Sequence, residues 1–165
     1  MNKNPTKYYS SIQEKRIASY LGWKVVSGSG SRNCRPGDVV STRWLGECKT
    51  HTSSGKKIYF GKDIWRKISS EASSQFKNPC LFSDDGSQNI SRTWVMIPSS
   101  CLAYQDINRV SFDCENKRSF SFNHEDAENI EKNSDDKPTV LFPLGSSDVC
   151  ILSLYTFNSM FGELK

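Results

Sequence analysis

The chain has 165 residues, 36% hydrophobic and 24% charged, a length that favours one domain with a core of its own. No apolar run approaches the roughly 20 residues that span a bilayer, so we expect no membrane partner. The start, Met1 to Lys7, has no apolar segment behind it, which predicts no signal peptide and a cytoplasmic location. Six cysteines without a Cys-x-x-Cys spacing favour reduced thiols.

The charge is unevenly distributed along the chain. Residues 1–79 hold 15 Lys/Arg and 5 Asp/Glu, a net charge of +10, whereas residues 80–165 hold 7 and 13, a net charge of −6. A basic half can be an ordinary solvated surface. It is also what a phosphate-rich polymer requires, so nucleic acid is a candidate partner of the N-terminal half.

The first predicted element is a helix from Pro5 to Leu21, capped by the preceding asparagine. Glu14 lies three and seven residues before Ile17 and Leu21, and therefore on the same apolar face. A carboxylate on an inward face needs a partner. It either pairs with a neighbouring basic residue at the border of the core or belongs to a site.

Residues 23–27 are predicted to form the first strand, and a Gly/Ser-rich loop with two arginines follows. Two more strands, 38–42 and 43–51, are separated by a tight turn. Because side chains alternate along a strand, Glu47 and Lys49 point to one face and the residue between them to the other. If the two strands pair, Asp38 lies beside Glu47.

The later elements are predicted from local patterns. They are a strand at 58–60 that extends the sheet, a helix at 62–76, strands at 80–83 and 92–97, a hairpin of 110–112 and 119–122, a helix at 123–132, strands at 139–144 and 149–155, and a terminal turn or helix at 156–164.

Asp38, Glu47 and Lys49 together have a chemical use. Two carboxylates with a main-chain carbonyl nearby are hard oxygen ligands that suit Mg²⁺. Such an ion can polarise a phosphodiester and promote ionisation of water, and an adjacent lysine can orient that water or stabilise charge on phosphorus. A solvated Asp and a surface Glu-x-Lys pair are the ordinary alternative.

Glu14 on the first helix, Asp38 at a strand start and Glu47-x-Lys49 on the next strand resemble the PD-(D/E)xK nuclease superfamily. The Gly/Ser-rich loop before Pro36-Gly37-Asp38 is similar to that of archaeal and phage-type Holliday junction resolvases. The resemblance covers residues 8–97, and one residue separates the proline from the aspartate.

The resemblance implies a role for each matching residue. Asp38, Glu47 and the main-chain carbonyl of Cys48 would bind Mg²⁺, for which Mn²⁺ would substitute. Lys49 would assist the attacking water, and Glu14 would complete the catalytic set. Contacts to DNA are expected from Ser29, Ser31, Arg32, Arg35, Lys56, Lys57, Lys62 and Arg66.

The fold implied is α/β (α+β): a restriction-endonuclease-like core with a mixed sheet flanked by helices in residues 1–98, and a β-rich extension in residues 99–165 packed on the same domain. The function implied is a metal-dependent DNA endonuclease, a homodimeric Holliday junction resolvase acting on branched or duplex DNA. A restriction- or repair-type nuclease, a non-catalytic nucleic-acid-binding module and a structural or inhibitory protein are the alternatives.

Overall fold

The computed structural model describes residues 5–27, 35–134 and 136–162. Within these ranges the chain is a mixed α+β protein. Its helices are α1 (Pro5–Leu21), α2 (Lys62–Ser73), α3 (His124–Lys132) and α4 (Leu154–Phe161). Its strands are β1 (Lys24–Val25), β2 (Val39–Val40), β3 (Trp44–Lys49), β4 (Ile58–Gly61), β5 (Asn78–Ser83), β6 (Trp94–Pro98), β7 (Asn108–Phe112), β8 (Glu115–Asn116), β9 (Ser119–Phe122), β10 (Thr139–Pro143) and β11 (Val149–Ser153).

Eight strands form one mixed sheet in the order β1-β2-β3-β5-β6-β11-β10-β7. Strand β3 runs parallel to β5, with Trp44 opposite Asn78 and Lys49 opposite Ser83. Strands β7 and β10 are also parallel, and the other pairs in this sheet are antiparallel. A smaller antiparallel sheet has the order β4-β9-β8.

The large sheet is covered on both faces. Helices α1 and α4 pack on one face through residues such as Ile17, Leu21 and Phe157. On the other face, α2 packs against Leu45 of β3, and the small sheet with α3 covers β5, β6, β10 and β11. This two-sided burial explains why β11 is buried at all five of its positions.

The predicted helices over α1, α2 and α3 are confirmed, as are the strands of the large sheet that precede residue 98. Ile17, Ala18 and Leu21 of α1 are buried, as their spacing indicates. In α2 the buried residues are Ile68 and Ala72, which lie one helical turn apart.

Two predicted pairings are wrong. Strand β4 does not extend the large sheet but pairs with β9 in the small one, where its buried Ile58 and Phe60 pack over the large sheet. The expected hairpin of 110–112 with 119–122 is absent, because β7 pairs with β10 and β9 pairs with β4 and β8. Local alternation of apolar residues identifies a strand but not its partner.

The chain beyond residue 98 continues the large sheet. Strand β11 pairs with β6 from Val149 opposite Pro98 to Ser153 opposite Trp94. The division into a core and an extension at residue 98 stays a prediction. Among the described helices, none combines the length and the apolar character required to cross a membrane.

Candidate functional site

A cleft of about 700 Å³ opens between α1, α2 and the strands β2 and β3. It is the point where the N-terminal half of the chain brings its acidic and basic side chains together. The carboxylates that line it are those of Glu14, Asp38, Glu47 and Glu71, and the cations are Lys7, Arg35, Lys49 and Lys67. The four residues predicted to be catalytic therefore line one cleft, although they come from three separate elements.

Asp38 is held at the start of β2 by a backbone turn and by β3. Gly37 has a φ of +76°, and a Cβ there would lie 2.8 Å from Leu45 Cδ1, so the turn favours glycine at this position. The Asp38 amide then donates to the carbonyl of Gly46 at 2.8 Å. Its Oδ2 accepts from the amide of Cys48 at 2.9 Å, which fixes the carboxylate beside the end of β3.

Glu47 and Lys49, both on β3, lie next to Asp38. Cys48 packs in the core between the sheet and α1, and the strand alternation turns Glu47 and Lys49 to the other face. Lys49 Nζ donates to Glu47 Oε1 at 2.5 Å, with 40% of the lysine side chain and 14% of the glutamate side chain exposed. Burial lowers the pKa of Lys49, but the hydrogen bond and charge of Glu47 outweigh it and the pKa is raised.

Burial and neighbouring carboxylates act on the pKa values of Glu14 and Asp38. Burial, followed by the charges of Asp38 and Glu47, raises the pKa of Glu14 from 4.5 to about 7. Burial and the charge of Glu47 also raise the pKa of Asp38 from 3.8 to about 6, against the opposing hydrogen bond from Cys48. A cation bound between these carboxylates would relieve this repulsion.

The donor set fits Mg²⁺ with two side-chain ligands. No preformed cluster of three or more His, Cys, Asp or Glu side chains arranged for a metal occurs in the described ranges. Mg²⁺ does not require one, because it keeps several waters and is commonly held by one or two carboxylates. Asp38 and Glu47, with the main-chain carbonyl of Cys48, supply oxygen ligands of that kind.

The predicted DNA-binding residues are not all at the cleft. Arg35 lines it, whereas Ser29, Ser31 and Arg32 lie outside the described residues. Lys57 pairs with Glu115 at 2.6 Å on the small sheet.

Two further cations predicted to bind DNA have partners away from the residues predicted to be catalytic. Lys62 donates to Asn116 Oδ1 and lies 4.8 Å from the ring centroid of Phe120. Arg66 pairs with Asp63 at 2.8 Å on the exposed side of α2. Lys56 is exposed, and its amide donates to the carbonyl of Asp85 at 2.9 Å in the turn after β5. Their role in DNA binding stays a prediction.

Sequence reasoning missed two cations at the cleft, Lys7 and Lys67. Lys67 contributes to the field at Asp38, where its charge acts to lower the pKa. It also lies 3.8 Å from Glu71, one helical turn further along α2. A signal existed, because Lys67 borders the apolar stripe that contains Ile68, so its side chain leaves α2 at the edge of the core.

A buried amide behind the site was also missed. Gln13 is 2% exposed, and its Nε2 donates to the main-chain carbonyl of Lys49 at 2.7 Å and to Asp84 Oδ2 at 3.1 Å. Asp84 is fully buried, and its Oδ1 accepts from Thr50 Oγ1 at 2.6 Å and from the amide of Gly86 at 2.8 Å. The available signal was a polar residue four positions before Ile17, on the buried face of α1.

The comparisons with known proteins found no matching family model, no matching curated protein and no matching solved structure.

Proposed function

We propose that the chain is a metal-dependent DNA endonuclease that hydrolyses phosphodiester bonds in the cleft between α1, α2 and β3. The observation that carries the proposal is the convergence of Glu14, Asp38, Glu47 and Lys49 on one cleft. An ordinary surface Glu-x-Lys pair would not have two further carboxylates beside it with raised pKa values.

The architecture supports the proposal. Helix α1, the antiparallel strands β1-β2-β3, helix α2 and strand β5 parallel to β3 follow one another along the chain. The proposal includes a restriction-endonuclease-like core built from these elements. In this core, β2 and β3 are antiparallel neighbours, so the start of β2 lies beside the end of β3. Asp38 lies at the start of β2 and Glu47 near the end of β3.

Each residue has a distinct chemical task. Asp38, Glu47 and the carbonyl of Cys48 would hold Mg²⁺ or Mn²⁺, which when bound would supply charge to polarise the phosphodiester and acidify water. Lys49 provides an ammonium group that orients the attacking water or stabilises the negative charge developing on phosphorus. Glu14, with a pKa of about 7, can accept a proton near neutral pH from a water in the cleft.

The cations of the cleft indicate where the DNA backbone would lie. Lys7, Arg35 and Lys67 surround the carboxylates, and each is exposed. Phosphate contacts of this kind give affinity and position without reading sequence. We therefore assign the phosphate path to the cleft rather than to the outer side of α2, where Arg66 is paired with Asp63.

Replacing Lys67 by glutamine is expected to weaken duplex DNA binding several-fold and to reduce the slope of log Kd against log salt by about 1. Arg66→Gln, one residue earlier on the same helix, is the matched comparison and is expected to change neither quantity. Fluorescence anisotropy at several salt concentrations, in EDTA to prevent cleavage, measures both. A larger effect of Arg66→Gln would move the DNA to the other side of α2.

The proposal is tested by cleavage of a labelled four-way junction and of a linear duplex with the same sequence, in Mg²⁺, by the wild type and Glu47→Ala. Junction-selective cutting that the variant loses is the result expected for a resolvase. If the wild type cuts both substrates equally and Glu47→Ala cuts neither, the result would support a restriction- or repair-type nuclease. DNA binding without cutting of either substrate would favour the non-catalytic module, and full activity of Glu47→Ala would remove the site assignment.

A junction resolvase must cut two strands in a paired fashion, so the proposal includes a two-fold homodimer. Sedimentation equilibrium of the protein alone and on a junction tests this part separately. A monomer that cuts single sites would keep the nuclease and remove the resolvase.

A further inference from the structure

The structure assigns a positioning role to Gln13: its buried amide, held by Asp84, fixes the end of β3 and with it the catalytic lysine. The inference rests on the proposed nuclease function and extends it to residues that do not line the cleft. Gln13 and Asp84 are 71 positions apart, and the chain places them directly behind Lys49.

The contacts converge on one peptide unit. Gln13 Nε2 donates to the carbonyl of Lys49, and Thr50, the next residue, donates through Oγ1 to Asp84. Asp84 is also bound by Gln13, so the three side chains connect α1, the end of β3 and the turn after β5. Lys49 is the last residue of β3, where a strand would otherwise fray into the following loop.

Stability alone does not account for these residues. Gln13 Oε1 is buried and has no hydrogen-bond partner among the described residues, and Asp84 is a carboxylate with no exposed surface. An unsatisfied buried acceptor and a buried acid both oppose folding, whereas an apolar residue would suit the buried face of α1. A network that costs stability and ends on the backbone of a catalytic residue is typical of a site that requires exact placement of that residue.

The test is Gln13→Met, which keeps the length of the side chain and removes the amide. We expect the single-turnover cleavage rate to fall 10- to 100-fold, while the Kd for DNA in EDTA stays within about 2-fold of the wild type. In a Lys49→Met background, Gln13→Met is expected to slow cleavage by no more than about 3-fold, because the group it positions is already absent.

A second readout is independent of cleavage. Hydrogen–deuterium exchange of peptides covering the end of β3 is expected to accelerate in Gln13→Met. Gln88→Met is the matched control: Gln88 is also buried, and its Nε2 donates to the carbonyl of Tyr9 at 2.7 Å rather than to Lys49 or Asp84. It likewise removes a buried amide and one hydrogen bond to a main-chain carbonyl, and it is expected to leave the cleavage rate and the exchange at β3 unchanged.

The outcomes separate this inference from the proposed function. Equal rate losses from Gln13→Met in the wild-type and Lys49→Met backgrounds, or unchanged exchange at β3, overturn the positioning role and leave the nuclease intact. Absence of cleavage by the wild type overturns both, and no variant is needed to detect it. If Gln13→Met does not fold, Thr50→Val removes a single hydrogen bond of the network and is expected to show the same coupling to Lys49 at a smaller magnitude.

Discussion

Lys49→Met is expected to lower the rate of DNA cleavage by about 10²- to 10³-fold, since its ammonium group faces the reacting phosphate in the proposed site. That loss corresponds to about 3 to 4 kcal/mol of transition-state stabilisation. Binding of DNA changes little, because Lys7, Arg35 and Lys67 still line the cleft. The measurement is single-turnover cleavage at saturating enzyme in Mg²⁺.

The Lys49 variant also separates catalysis from metal binding. Asp38 and Glu47 remain, so Mn²⁺ is expected to raise the melting temperature of Lys49→Met at least as much as that of the wild type. Lys137→Met, which removes an exposed lysine paired with Asp106 at 2.7 Å, controls for the loss of one positive charge. A Lys49→Met rate within 3-fold of the wild type would contradict the assigned role.

Asp38→Asn is expected to stabilise the metal-free protein at pH 7.5. Burial and Glu47 raise the pKa of Asp38 to about 6, so the folded state binds its proton more tightly than the unfolded state does. The ionised carboxylate therefore destabilises the fold above pH 6, by about 1 to 3 kcal/mol. Removing the charge is expected to raise the melting temperature in EDTA by about 2 to 4 °C per kcal/mol.

The pH dependence of this gain has a definite sign. The contribution of Asp38 to the stability of the wild type falls as the pH rises from 3.8 to about 6, because the folded carboxyl must lose a proton that it holds more tightly than the unfolded chain does. The gain from Asp38→Asn is therefore present at pH 7.5 and lost near pH 3.8. In Glu115→Gln no gain is expected, since the pKa of Glu115 is lowered by its hydrogen bond from Lys57. If Asp38→Asn were less stable than the wild type at pH 7.5 in EDTA, the ionised Asp38 carboxylate would not be destabilising.

Metal is expected to offset the stability gain of Asp38→Asn. A divalent ion at 100 times its Kd stabilises the wild type by about 2.7 kcal/mol, and Asp38→Asn lacks one of its ligands. Thermal unfolding of both proteins with and without Mn²⁺ shows whether the carboxylates destabilise the empty cleft and bind metal in it. Equal effects of Mn²⁺ on the two proteins would contradict that account.

The faces on which the four proposed catalytic residues lie could be predicted because local rules govern their placement. The period of α1 sets the face of Glu14, and the alternation of β3 sets the shared face of Glu47 and Lys49. Gly37 then lets Asp38 enter β2 beside them. These rules act within about ten residues, which is the range over which a sequence pattern is informative.

The positions of Gln13 and Lys67 at the edge or on the buried face of a helix could be predicted from such patterns, but their partners could not. Gln13 contacts Asp84 because β5 pairs in parallel with β3, which places the turn after β5 beside the end of β3. Long-range packing determines which strand pairs with β3, and a local pattern does not show it. The same limitation explains why β4 was predicted in the wrong sheet, since its apolar residues suit either sheet. Lys67 could have been placed at the cleft only once the packing of α2 was known.

We propose above that the carboxylates of this cleft support metal-dependent hydrolysis of DNA. The most direct test of this proposal is nicking of closed circular duplex DNA in Mg²⁺ by the wild type and by the double variant Asp38→Asn/Glu47→Gln, with EDTA as the metal-free control. We expect the wild type to nick the DNA and EDTA to abolish the nicking. We expect the double variant to remain folded and not to nick the DNA. Equal nicking by both proteins, or none by the wild type in Mg²⁺ or Mn²⁺ on duplex and branched DNA alike, would contradict the proposal.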